Sequence, residues 1–95
     1  MSDELISMVR QFSQAVQNDR TINTIFTALC DEVTELGFET YTDEPGADGI
    51  AGEAVDVMLC CLDLIFKAQP EWTDEDIIAY ARKKCQKWKE KYSNG

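Results

Sequence analysis

Four acidic residues repeat one spacing twice: Glu32 and Glu35 stand three apart, and so do Glu53 and Asp56. On a helix, residues three apart are neighbours on one face, so each pair presents two carboxylates side by side. Glu39 extends the first face, and Asp31 lies beside it. The second pair sits in an apolar segment, where Val55, Val57, Met58, Leu59, Leu62, Leu64, Ile65 and Phe66 would surround a helix axis. At ~100° per residue, Glu53, Asp56 and Asp63 share a sector of roughly 80°. A carboxylate among apolar groups has to be paired, protonated or bound to a metal, and this segment has no basic residue before Lys67. Acidic faces are usually just solvated. Two of them on antiparallel helices joined by a short loop are another matter, because Glu32 and Glu35 then meet Glu53 and Asp56. Four such carboxylates repel unless a cation neutralises them. Oxygen-only ligands favour hard divalent ions, Mg²⁺ above all where phosphates complete the shell, with Mn²⁺ able to substitute.

Other chemistries are excluded by what the chain lacks. It has no histidine, which removes Ser-His-Asp and Cys-His active sites and His-ligated zinc or haem. The charge of −9, from 18 acidic and 9 basic residues, argues against nucleic acid or an anionic membrane as the main partner. The four cysteines, Cys30, Cys60, Cys61 and Cys85, form no C-x-x-C pair and sit among apolar neighbours. They are expected to be reduced, buried thiols of a cytoplasmic protein. No secretory signal is expected, because the first residues lack a basic segment followed by an apolar run.

The elements that must hold the acids in place are helical. The chain is short enough for one domain, residues 1–95, and at 44% apolar and 28% charged residues it is globular rather than disordered. Ser2 would cap a first helix, with Asp3 and Glu4 in its first turn, in which Leu5, Val9, Phe12 and Val16 recur at helical spacing. Asn18, Asp19 and Arg20 break that pattern. Thr21 or Asp19 can cap the second helix, with its stripe of Ile22, Ile25, Phe26, Leu29, Val33 and Leu36. Residues 41–49 form a loop around Pro45, Gly46 and Gly49. The third helix spans residues 50–67, apolar on nearly all sides, and so belongs at the centre of a bundle or of a dimer. The fourth is announced by Thr73 as N-cap, Asp76 bonding back to it and Trp72 stapled onto Ile77, and runs to about residue 91. Phe12 and Phe26 are expected in the core. No segment alternates long enough for a strand, so the fold class is all-α. A four-helix bundle this small is expected to be completed as a homodimer or homotetramer. Charge is split along it: residues 1–81 hold 3 basic and 17 acidic groups, a net of −14, whereas residues 82–95 hold 6 basic and 1 acidic, a net of +5. Lys84 and Lys87 project from one face there. They serve either the helix dipole or a phosphate.

The E-x-x-E of Glu32, Val33, Thr34 and Glu35, followed after seventeen residues by the E-x-x-D of Glu53, Ala54, Val55 and Asp56, resembles the signature of the MazG-like nucleotide pyrophosphohydrolases. These belong to the all-α NTP pyrophosphatase superfamily. KKCQKWKEKY near the C-terminus is similar to the family's closing basic pattern at Lys84, Lys87 and Tyr92. The resemblance implies a MazG-like bundle and Mg²⁺-dependent hydrolysis of a nucleoside triphosphate to a monophosphate and pyrophosphate. Glu32, Glu35, Glu53 and Asp56 would then be catalytic metal ligands, and Lys84 and Lys87 would hold the substrate phosphates. A metal-bound water would supply the nucleophile, with Glu32, Glu35 or Glu39 accepting its proton. The expected partners are a nucleoside triphosphate and further copies of the chain, with no nucleic acid and no membrane. The competing expectation is a non-catalytic acidic helical interaction module with a metal-stabilised dimer seam. Exposed, metal-free Glu53 and Asp56 would favour that reading.

Overall fold

The computed structural model describes residues 4–16, 19–44, 46 and 49–93. The expected cap at Ser2, the acid at Asp3, the break at Asn18 and the turn residue Pro45 lie outside them. Four helices follow one another: α1 (Glu4–Ala15), α2 (Ile22–Tyr41), α3 (Gly49–Ala68) and α4 (Asp74–Ser93). No strand occurs among the described residues, so the fold is all-α as expected.

Local chemistry sets the helix starts. Thr21 caps α2, its hydroxyl accepting from the Thr24 amide at 3.1 Å. At α4 the capping box is complete. The Thr73 amide donates to Asp76 Oδ2 at 2.9 Å, and the Asp76 amide donates to Thr73 Oγ1 at 3.2 Å. Trp72 packs on the cluster containing Ile77, as the staple predicts, and stacks on Tyr80 with ring centroids 5.3 Å apart. Gly49 opens α3 at φ +66°, a left-handed conformation that a side chain would strain.

α2 and α3 make the most extensive contact in the molecule, and α1 packs on α3. Contacts pair residue 39 with 46, 32 with 53 and 20 with 63, the descending register of an antiparallel hairpin. The core is small. Val9, Phe66 and Ile77 are buried together, with Ile6, Leu59, Leu62, Ile65 and Trp72 packed around them. Arg10 ties this end together: Nε donates to Asp74 Oδ1 at 2.8 Å, Nη2 donates to the Trp72 carbonyl at 3.2 Å, and the guanidinium lies 4.4 Å from the centroid of the Phe66 ring.

Two expectations are corrected. Phe12 and Phe26 are 70% and 53% exposed rather than core. Cys30, Cys61 and Cys85 are exposed, and only Cys60 is half-buried. α3 is central within the chain, and Ile50, Val55 and Met58 remain on an open face, which leaves the choice between a bundle centre and a dimer centre open. α4 joins the body only near its beginning, through Ile77 and Trp72 just before it, and its residues 79–93 are all exposed. The radius of gyration is accordingly 15.3 Å, against about 12 Å for a compact chain of this length.

Candidate metal centre

The hairpin brings three of the four expected acids together. One oxygen from each of Glu32, Glu35 and Glu53 lies within 4.8 Å of the others. Glu32 and Glu53 are half-buried where α2 meets α3, while Glu35 is exposed at the rim. Among the described residues, Glu32 Oε2 is shielded from solvent and accepts no hydrogen bond. Burial raises the Glu32 pKa above the ordinary carboxylate range. The charges of Glu35 and Asp56, a hydrogen bond with Glu35 and the charge of Asp31 push it the same way. Asp56, the fourth expected ligand, is half-buried and close enough to act on Glu32. It lies outside the set whose oxygens converge. The arrangement suits a hard cation offered carboxylate oxygens from two helices.

The other acids have different work. Glu39 turns to the loop, where both carboxylate oxygens accept from the Gly46 amide at 2.8 and 3.1 Å. Asp63 is not part of the cluster. It forms an ion pair with Arg20, whose Nη2 donates to Oδ1 at 3.1 Å, and it accepts from Ser13 Oγ at 2.6 Å. Reading along α3 alone missed this partner, which arrives from the link after α1. The available signal was that Arg20 is the lone basic residue between Arg10 and Lys67. Cys60 stands between the two environments. Burial pushes its thiol pKa up, and the charges of Glu32 and Asp63 add to the shift.

Lys84 and Lys87 lie on the exposed part of α4, with Lys84 Nζ 5.6 Å from the centroid of the Tyr80 ring. α4 makes no extensive contact with α2 or α3, so no packed interface sets these lysines against the carboxylates.

These features define a small all-α protein whose central hairpin carries a carboxylate cluster. Within that class, residues 6–83 match the family described as PSDC, phosphatidylserine decarboxylase. The match covers most of the chain, and the protein belongs to that family. Comparison with curated proteins and with solved structures found no match.

Family membership overturns the expectation of a MazG-like nucleoside triphosphate pyrophosphohydrolase. The hydrolase class, the triphosphate substrate and the release of pyrophosphate fall with it. The geometry shows why the motif misled. Two acids three apart on each of two facing helices specify a patch able to take a cation, and any reaction or none can be built around it. The basic C-terminal pattern that seemed to complete the signature sits on a separate, exposed part of α4. Nothing favours the interaction module with a metal-stabilised seam either.

Proposed function

We propose that this chain serves phosphatidylserine decarboxylation as a divalent-cation-binding helical domain, the cation receiving the phosphate of the lipid head group. The observation that carries the reading is that the matched residues, 6–83, contain both helices of the carboxylate cluster. A protein of net charge −9 repels an anionic head group, and a divalent ion on Glu32, Glu35 and Glu53 reverses the sign locally. Mg²⁺ or Mn²⁺ suits such a site, which one or two carboxylates and a phosphate oxygen can complete. The cluster's part is binding. Loss of CO₂ from an amino acid leaves an electron pair that needs a conjugated acceptor, and a carboxylate is not one.

Calorimetry with Mn²⁺ and glycerophosphoserine, the water-soluble head group, tests this. The head group should bind only in the presence of the cation. Glu32→Gln and Glu53→Gln should each weaken cation binding at least about tenfold, by analogy with losing one ligand-supporting group. Cation affinity unchanged in both variants would overturn the assignment.

The open apolar face of α3, with Ile50 53%, Val55 46% and Met58 37% exposed, supports completion of the bundle by a second copy, as a homodimer or homotetramer. Light scattering at micromolar concentration tests that assembly, and a monomer mass would refute it.

A further inference from the structure

Among the described residues, the exposed part of α4 is the one strongly basic surface of an acidic protein. Ile78, Ala81, Cys85, Trp88 and Tyr92 succeed one another at spacings of three and four, which at ~100° per residue confines them to a stripe about 80° wide. Arg82 and Lys89 border one edge of this stripe, and Lys84 and Lys91 the other, each within roughly 60° of it. The start of the stripe shares a shallow cleft with Ile6 of α1. Beyond it, Trp88 and Tyr92 stand 68% and 71% exposed. Residues 82–93 contain a single acid, Glu90.

The charges decide what can cover this face. The spacing is that of a coiled-coil seam, and the four bordering positions are those that face a partner helix. All four are basic, so pairing with α4 of a second copy sets like charges against one another in either direction. A partner has to be anionic, and two exposed amphipathic aromatics flanked by long basic side chains match the interface of an anionic bilayer. There the rings sit at head-group depth, and the lysine stems lie along apolar surface with their ammonium groups among the phosphates.

We propose that α4 docks on anionic phospholipid surfaces through the Trp88–Tyr92 stripe, with Lys84, Lys89 and Lys91 held by lipid phosphates. The charge of the whole chain does not forbid this. Residues 79–93 extend about 22 Å along a helix axis, between two and three times the roughly 8 Å over which charges are screened at physiological salt. The −14 of residues 1–81 then acts on orientation, holding the body off the surface while α4 lies on it. The biological sense of the contact rests on the lipid-substrate reading above, whereas the experiment does not.

Full-length protein is sedimented with vesicles of phosphatidylcholine alone and of phosphatidylcholine mixed with phosphatidylserine. A chelator is present throughout, so that the α2/α3 carboxylates take no part. Binding should occur on the mixed vesicles only and reverse at high salt. Tryptophan emission should shift to the blue on binding, and Trp88→Phe should abolish that shift although Trp72 remains. Lys84→Glu combined with Lys89→Glu should lower partitioning at least about tenfold, with helix content by circular dichroism unchanged because both side chains are exposed. Failure to bind either vesicle, equal binding to both, or undiminished binding by the double variant would overturn the proposal. So would capture by an acidic protein without vesicle binding. Cation binding measured separately in the absence of lipid would stand or fall on its own.

Discussion

Two ends of one face of α3 meet opposite electrostatic answers. Toward its C-terminal end, Asp63 is met by Arg20 and Ser13, and its charge is compensated within the chain. Two turns earlier, Asp56 faces Glu32 and Glu35, and the charges of Glu35 and Asp56 help to hold the Glu32 pKa up. Both neighbourhoods are half-buried and lie against the same hairpin. Burial alone therefore does not make a carboxylate available to a ligand. What distinguishes the ends is the sign of the charge brought to the shielded carboxylate, Arg20 at Asp63 and further acids at Glu32.

The largest expected effect sharpens that contrast directly. If the α2/α3 acids bind a divalent ion and the Asp63 end does not, Mg²⁺ or Mn²⁺ at a hundred times its Kd should stabilise the fold by about 2.7 kcal/mol. For a chain of this size that is a rise in Tm on the order of 10 °C, measurable by scanning calorimetry. A melting temperature indifferent to these ions would erase the distinction between the two ends.

Next in size is removal of the internal cation. Arg20→Ala leaves Asp63 half-buried with Ser13 as its remaining partner and should cost about 2 kcal/mol. That is less than a fully buried pair because both side chains are partly exposed. Chemical denaturation measures it, and a loss below about 0.5 kcal/mol would rank the pair with ordinary surface pairs.

A smaller effect should carry the opposite sign. Without divalent ions, Glu32→Gln relieves repulsion and should raise Tm modestly, whereas Asp63→Asn should lower it. The same Glu32 variant should shrink the cation-induced rise. A Glu32→Gln protein that melts lower than wild type in chelator would show the cluster to be compensated after all.

The smallest effect is a pH dependence. Glu32 has a raised pKa in the folded protein, so the folded state holds its proton more tightly than the unfolded chain. Its contribution to stability is therefore gained as pH falls through the upper carboxylate range and lost as pH rises through the folded pKa. Saturating Mg²⁺ should flatten that slope by competing with the proton. A chelator-treated protein whose Tm did not climb on mild acidification would contradict the shift.

Much of this arrangement was legible in the residues. Helical spacing placed the four helices, and the cap at Thr21 and the capping box at Thr73 and Asp76 formed as read. The pairing of the two acid faces followed from helix periodicity and a short loop. What escaped was tertiary. Arg20 reaches Asp63 across forty-three positions, and no local pattern announces such a contact. Phe12 and Phe26 looked like core because periodicity identifies an apolar stripe without saying whether anything covers it. The acid spacing was read as a reaction because the motif encodes only the facing of carboxylates, to which several chemistries are open.

The Glu39 carboxylate clasped on the Gly46 amide also bears on how the chain assembles. The two residues are seven apart, and loops of that size close in roughly 10–100 ns, far ahead of any long-range docking. The α2–α3 turn therefore forms early, while Arg20 and Asp63 are still to be joined. Zipping outward from that turn brings Glu35, Glu32, Glu53 and Asp56 together before α1 and α4 can contribute packing. In a refolding experiment the repulsion among them belongs to the barrier, so divalent ions should speed folding as well as slow unfolding. Should the carboxylates take such an ion, the rate at which this protein reaches its native state would depend partly on the ions dissolved around it.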